Sequence, residues 1–150
     1  MKFLFASFLL LMSISAKSQT ASDSVKAVVN QLFTAMKTSN AAMLLSAFGD
    51  SAILQTITTN KQGEIIVKNE PIKNFATAVM KAASGSLDER IKFDMVKIDG
   101  ALASVWTPYS FYYNNTFSHC GVNSFQLVRT SAGWKIQYLV DTRRKNGCLQ

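Results

Sequence analysis

The sequence predicts an α+β domain in which helices pack beside a curved antiparallel sheet. Apolar residues in the first half of the 150-residue chain recur every three or four positions, which is the period of a helix with one buried face. From about residue 89 onward, apolar and polar residues alternate, which is the pattern of strands. Helices that precede and flank consecutive antiparallel strands are typical of this fold class.

Two predicted helices open the domain. Residues 22–40 carry an apolar stripe at helical spacing, and either Ser22 or Ser24 is expected to cap the first turn by accepting a backbone N–H. Asn40 is expected to cap a second, short helix over residues 41–48. The stripe of the first helix consists of Val25, Val28, Val29, Leu32, Phe33 and Met36.

A β-hairpin and a third helix follow. Residues 51–59 and 64–69 are rich in β-branched residues and flank a polar turn, so they are predicted to pair as strands. Pro71 has the fixed φ that suits the first turn of a helix, which is predicted over residues 71–84. The predicted inner face of this helix comprises Ile72, Phe75, Val79 and Met80.

Four antiparallel strands are predicted after the third helix. Pro108 lies within the second of them and lacks an N–H group for the sheet, so an edge position or a bulge is expected there. Asn114 and Asn115 form a predicted turn, since asparagine tolerates positive φ. The four strands cover residues 90–99, 101–115, 121–130 and 134–142.

The first residues have the layout of a secretory signal peptide. Lys2 is followed by an apolar run over residues 3–14 and then by the small-x-small pattern of residues 16–18. The run is too short to span a bilayer as a helix. Residues 1–18 are therefore predicted to be removed after Ser18. The prediction is a single domain over residues 19–150 that is secreted or periplasmic and is not expected to stay attached to a membrane once the signal peptide is cleaved.

Removal of that peptide leaves a moderately basic domain. Without Lys2 and Lys17, fourteen Lys and Arg residues face nine Asp and Glu residues, an excess of five positive charges. Such an excess favours an acidic ligand or an anionic surface without identifying either. Apart from residues 141–145 the basic residues are scattered, and they are not interleaved with aromatic ones, so no nucleic-acid partner is expected.

The order of elements, the length of about 130 mature residues and the ending HCGVNSFQLVRTSAGWKIQYLVDTRRKNGC resemble the nuclear-transport-factor-2-like superfamily, also described as SnoaL-like or ketosteroid-isomerase-like. The chain is most similar to small exported bacterial members labelled as lumazine-binding, over residues 22–148. The resemblance implies three helices packed into a strongly curved antiparallel sheet, a cone with a pocket at its open end, and a homodimer formed through the sheet. Since this fold hosts isomerases, cyclases, dehydratases and binding domains, it implies no single function.

The two cysteines of the chain, Cys120 and Cys148, are predicted to form a disulfide, as two cysteines in a small exported domain most often do. If residues 131–133 close the last hairpin, Cys120 lies opposite Arg144, within reach of the tail. His119 adjoins Cys120, and neighbouring side chains of a strand point to opposite faces, which argues against a catalytic pair. One histidine and two cysteines also fall short of a zinc site, so neither a metal nor another cofactor is predicted.

Candidate ligand-binding residues lie on the second and third of the four strands. Trp106 and Tyr109 belong to an aromatic segment whose rings suit a flat ligand, a dimer interface or an ordinary core. His119 shares a strand face with Asn123 and with core-facing Phe125, which places it near the open end of the cone. There it is expected to be either a hydrogen-bonded wall residue or a proton acceptor.

Three functions stay open. The preferred one is binding of a small, flat or amphipathic molecule in the cone without turnover. The second is an isomerase, cyclase or dehydratase that uses His119 with a tyrosine donor. The third is a dimeric interaction module that uses the aromatic strand. Binding is preferred because no aspartate on or beside a strand is predicted to face the cone, and Asp141 is expected in a surface ion pair. The aspartates concerned are Asp50, Asp94, Asp99 and Asp141.

Overall fold

The computed structural model describes residues 20–148, in which three helices lie against one seven-stranded sheet. The predicted α+β class and order of elements are confirmed, while the predicted signal peptide lies outside the described residues. No helix in this part of the chain is long and apolar enough to cross a membrane. The elements are α1 (Ala21–Lys37), α2 (Ala41–Ala47), β1 (Phe48–Thr59), β2 (Ile65–Asn69), α3 (Ile72–Lys81), β3 (Leu87–Ile91), β4 (Met95–Asp99), β5 (Leu102–Tyr113), β6 (Thr116–Thr130) and β7 (Gly133–Thr142).

Polar caps fix the starts of the first two helices. Thr20 caps α1, so the prediction of Ser22 or Ser24 is wrong. The Thr20 hydroxyl accepts the N–H of Asp23 at 3.1 Å, while the Asp23 carboxylate accepts the N–H of Thr20. This reciprocal box satisfies two backbone donors at once and moves the helix start upstream of both serines. Asn40 caps α2 as predicted, accepting a backbone N–H at 2.9 Å.

The core lies between the helices and the inner face of the sheet. The α1 stripe is buried as predicted except for Val28, which is half-buried and packs against the core. The ring of Phe33 meets that of Phe125 edge-on with centroids 6.2 Å apart. On α3 the buried residues are Ala76 and Val79. The prediction that Met80 faces inward is wrong, since Met80 lies one position beyond this stripe and is exposed.

The sheet has the strand order β2-β1-β7-β6-β5-β3, and β4 also pairs with β5. All neighbouring strands run antiparallel except β1 and β7, which are parallel. The strand predicted over residues 90–99 is two strands, β3 and β4, separated by residues 92–94. The chain therefore has five strands after α3 rather than the predicted four.

Pro108 lies in β5 opposite the interruption between β3 and β4. Its carbonyl oxygen accepts the N–H of Lys92 at 3.0 Å. The N–H and C=O of a residue in an antiparallel strand point to the same side, so the N–H that Pro108 lacks would also face residues 92–94. The predicted irregularity is confirmed, but it lies in residues 92–94 between β3 and β4 rather than in β5 itself. β5 is an interior strand of the sheet, not an edge.

The predicted Cys120–Cys148 disulfide is present. Four residues before Cys148, Arg144 and Cys120 exchange backbone hydrogen bonds in both directions, each at 2.9 Å. The tail therefore returns along β6 at the register that the hairpin predicts. The side chains of His119 and Cys120 line different cavities, on the inner and outer faces of the sheet, as strand alternation predicts.

Candidate functional site

A cavity of about 590 Å³ opens between the inner face of the sheet and helices α1 and α3. The helices contribute apolar side chains such as Leu32 and Phe75, whereas β3, β5, β6 and β7 contribute polar ones. At the mouth, the side chains of Lys68, Lys81 and Tyr113 are exposed. Its size and the combination of apolar walls with a few converging polar groups are those of small-molecule sites.

Three of the four predicted ligand-binding residues line this cavity: Tyr109, His119 and Asn123. Trp106 does not line it. It lies on the outer face with 40% of its surface exposed, because it is out of phase with Tyr109 along β5. The placement of Trp106 in the pocket is therefore wrong. The homodimer that the resemblance implies would use this outer face, and it stays a prediction.

The cavity holds a carboxyl group that sequence reasoning missed. Glu89 on β3 points into it, and its Oε1 accepts a hydrogen bond from Asn123 Nδ2 at 2.8 Å. No Lys, Arg or His of the described chain forms an ion pair with Glu89. Burial raises the pKa of Glu89 to about 7, and the nearby charge of Asp141 adds to the rise. The hydrogen bond from Asn123 acts in the opposite direction and lowers the pKa. The signal that could have found it is the in-phase alternation of Glu89 with Ile91. It was missed because the strand was predicted to begin at residue 90, just after Glu89, whereas β3 begins at Leu87.

Asp141 is a second carboxylate in the cavity wall, only 6% exposed. It accepts hydrogen bonds from the Thr56 hydroxyl at 2.5 Å, from Arg143 Nε at 2.9 Å and from the Tyr109 hydroxyl at 3.3 Å. The predicted ion pair exists, but its predicted surface location is wrong. An irregularity in the pairing of β6 with β7 leaves Gln137 unpaired, so alternation inverts there and Asp141 points inward.

Tyr109 is held as a hydrogen-bond donor at the inner end of the cavity. Its hydroxyl lies 2.9 Å from the carbonyl oxygen of Thr142 and 3.3 Å from Asp141 Oδ2. Burial, reinforced by the charges of Asp141 and Glu89, raises the pKa of Tyr109 far above its usual value. The phenol is therefore neutral throughout the physiological range, and it anchors the Asp141 carboxylate.

His119 forms part of the aromatic wall. Its ring centroid lies 5.8 Å from that of Tyr109 and 5.0 Å from that of Phe111, and its Nδ1 lies 3.0 Å from the Ser118 hydroxyl. Burial lowers the pKa of His119, and the charge of Arg143 lowers it further. This shift favours the neutral imidazole, and His119 is packed as a wall residue with a ring nitrogen available for hydrogen bonding.

Gly121 lets β6 approach the backbone of Thr142 and the ring of Tyr109 closely. A Cβ at this position would overlap the carbonyl oxygen of Thr142 and lie 2.7 Å from Cε1 of Tyr109.

We expect Gly121→Ala to lower the free energy of unfolding by about 2–3 kcal/mol, measured by urea denaturation, because the Thr142 backbone and the Tyr109 ring must both move. Gly49→Ala is the matched control, since its new Cβ meets only the flexible end of the Gln137 side chain closely. Equal losses in the two variants would contradict this account.

Fold and site together define a cone-shaped α+β domain with a polar inner end. No family model matches the sequence, and no curated protein is significantly similar to it. Solved structures do share the fold. A nuclear-transport-factor-2-like protein of unknown function from Shewanella baltica has 12% identity over 82% of this chain and 93% of that chain, with a TM-score of 0.64.

Two further structures are similar to the same extent. A domain of unknown function with a cystatin-like fold from Nostoc punctiforme has 18% identity over 87% of this chain and 82% of that chain, with a TM-score of 0.63. A candidate aromatic ring hydroxylase from Novosphingobium aromaticivorans has 17% identity over 80% of this chain and 86% of that chain, with a TM-score of 0.60. The chain therefore has the nuclear-transport-factor-2-like fold, and identities this low carry the fold alone.

Proposed function

We propose that this chain binds a small, flat, partly apolar molecule in the cavity, with the polar end of the ligand at Glu89 and Asn123. One observation carries the proposal: a cavity of about 590 Å³ has apolar helical walls and a cluster of buried polar groups at its inner end. The rings of Phe111 and His119 offer faces on which a flat ligand can stack. The resemblance to proteins labelled as lumazine-binding favours a heterocycle.

The polar groups suit a ligand that both donates and accepts hydrogen bonds. With a pKa of about 7, Glu89 accepts a hydrogen bond when ionised and donates one when protonated. Arg143 uses its Nε on Asp141 and one Nη on Thr56, and its remaining N–H groups are donors for a ligand carbonyl. A pure interaction module is disfavoured, because exposed residues such as Lys68 line the cavity and leave it open to solvent.

Acid–base catalysis on the bound molecule is the second candidate, and Glu89 is the observation that favours it. A general base works best with a pKa near the operating pH, and a carboxylate reaches that value by burial without a cationic partner. The preference for a non-catalytic domain rested on the lack of a cone-facing carboxylate, yet Glu89 and Asp141 both face the cavity. In this candidate Glu89 replaces His119 as the group that takes up and returns a proton.

We further propose that the mature chain is exported. The composition of residues 1–18 and the Cys120–Cys148 disulfide support this, since disulfides persist in oxidising compartments.

A panel of flat heterocycles and other planar amphipathic compounds, lumazine among them, tests the two candidates by calorimetric titration. We expect Glu89→Gln to weaken the best ligand about tenfold or more, because a buried hydrogen bond to a charged group is lost. Glu64 is an exposed carboxylate in the β1–β2 turn, so the control variant Glu64→Gln should leave the affinity unchanged. Equal affinities of the two variants, or no saturable binding by any compound, would overturn the proposal.

The same ligand, incubated with the protein in D₂O, separates binding from catalysis. Exchange or turnover that falls at least about a hundredfold in Glu89→Gln but not in Glu64→Gln would establish proton transfer. Binding without exchange in the wild-type protein would leave the cavity as a binding site only.

A further inference from the structure

We propose that a second cavity, on the outer face of the sheet, binds a small-molecule oxyanion such as a phosphate or carboxylate group. This outer groove, of about 350 Å³, lies between the β3–β4 interruption, the middle of β5 and β6, and the C-terminal tail. Three cationic side chains, those of Arg90, Lys92 and Arg144, are among its lining residues, and no Asp or Glu is. The Ser110 hydroxyl adds a neutral donor to the same wall.

Neighbouring side chains orient the Arg90 guanidinium but occupy only one of its nitrogen donors, Nε. Its Nε donates to Asp88 Oδ2 at 2.9 Å, and its guanidinium carbon lies 4.0 Å from the ring centroid of Tyr112. These two contacts fix the guanidinium and leave its Nη groups as donors. Asp88 is the acidic group nearest to this arginine, and it also pairs with Lys37 at 2.9 Å, so one carboxylate is shared by two cations.

Lys92 and Arg144 have no carboxylate partner within residues 20–148. The Arg144 side chain reaches only the carbonyl oxygen of Gly147, at 3.4 Å for both Nε and Nη2. Three cationic residues thus line the outer groove, and only Arg90 is partly compensated by a carboxylate. An oxyanion bound there would reduce the repulsion among these charges and accept charge-assisted hydrogen bonds from them.

The groups that surround the outer groove are held by rigid elements. Arg90 is on β3, and the Lys92 backbone is bound to the carbonyl of Pro108. Arg144 is fixed against Cys120 by two backbone hydrogen bonds and by the disulfide that follows. The backbone of the site therefore needs little ordering to bind, which favours affinity for a small ligand. It lies on the opposite side of β5 and β6 from the main cavity, and it does not depend on the function proposed there.

Titration of the mature chain with inorganic phosphate and with citrate, followed by amide chemical shifts at constant ionic strength, tests the site. We expect saturable shifts at Ser110, Gly121 and the residues around Lys92. Arg144→Gln and Lys92→Gln should each weaken binding about fivefold, because each removes one partly solvated charge contact. Lys97→Gln, an exposed lysine on β4 outside the outer groove, should bind like the wild type.

Tighter binding of phosphate or of citrate would support the site and identify which oxyanion chemistry it prefers. Shifts that do not saturate, that chloride reproduces, or that all three variants retain would show adventitious ion binding only and would overturn the proposal. Because all three substituted residues are exposed, unchanged thermal stability of the variants confirms that altered binding reflects the lost charge.

Discussion

Reduction of the Cys120–Cys148 disulfide is expected to lower the free energy of unfolding by about 3–4 kcal/mol, the chain-entropy value for a loop of roughly 29 residues. The two cysteines are 28 positions apart and enclose most of β6, all of β7 and the returning tail. The reduced unfolded chain gains the freedom that the bridge removes, while the native strands keep their hydrogen bonds. Most of the effect therefore lies in the unfolded state.

Urea denaturation with and without a phosphine reductant measures this loss, and alkylation followed by intact mass confirms the oxidation state. The double substitution of Cys120 and Cys148 by Ser should lose slightly more, because the Cys120 side chain is 1% exposed and a hydroxyl there is poorly solvated. A midpoint that reduction leaves unchanged, in a protein whose thiols have become reactive, would contradict the stabilising role of the bridge.

The second large effect is a pH dependence caused by Glu89. Its native pKa of about 7 lies above the ordinary value of 4.5, so between these values the folded protein holds a proton that the unfolded chain has released. The free energy of unfolding must therefore fall as pH rises through this window, by up to about 3 kcal/mol for a difference of about 2.5 pH units. Glu89→Gln cannot ionise, so it should match the wild type near pH 4 and exceed its stability above pH 7.

Denaturation curves of the wild type, Glu89→Gln and Glu64→Gln between pH 4 and 8 test this difference. Asp88 acts in the opposite direction, since its hydrogen bond with Lys37 lowers its pKa and its stabilising contribution is lost as pH falls. That contribution is common to all three proteins and cancels in the comparison. Parallel stability curves for the wild type and Glu89→Gln would show that Glu89 titrates normally.

Much of the fold could be predicted because it is specified by local patterns. The Asn114–Asn115 turn has positive φ at both residues, 49° and 62°, as the sequence predicts. The Asn40 cap and the apolar stripe of α1 depend only on residues a few positions apart. The error at the start of α1 has the same local origin, since Thr20 and Asp23 complete a capping box that two nearby serines obscured.

The candidate site could be predicted only in part. Alternation along β6 predicts His119 and Asn123 on one face, and both line the cavity. Along β5 it predicts Tyr109 and Trp106 on opposite faces without deciding which face is the inner one. It failed for Asp141, because the unpaired Gln137 inverts the faces of β7, and such a bulge leaves no clear trace in the sequence. Glu89 was missed because the strand was predicted to begin at residue 90, whereas β3 begins at Leu87, and strand boundaries are the least certain part of any pattern.

By itself the sequence determined the helices, the Asn114–Asn115 turn, the disulfide and the alternation of side chains along β5 and β6, since each follows from spacing or from residue chemistry over short distances. Only the tertiary structure decided the chemistry of the cavity. The parallel pairing of β1 with β7 brings Thr56 to Asp141, although 85 positions separate them. The pKa of Glu89 is raised by burial in a cavity whose walls include α1, more than 50 positions away in the chain. Burial and electrostatic coupling arise from three-dimensional proximity, which local sequence patterns do not encode.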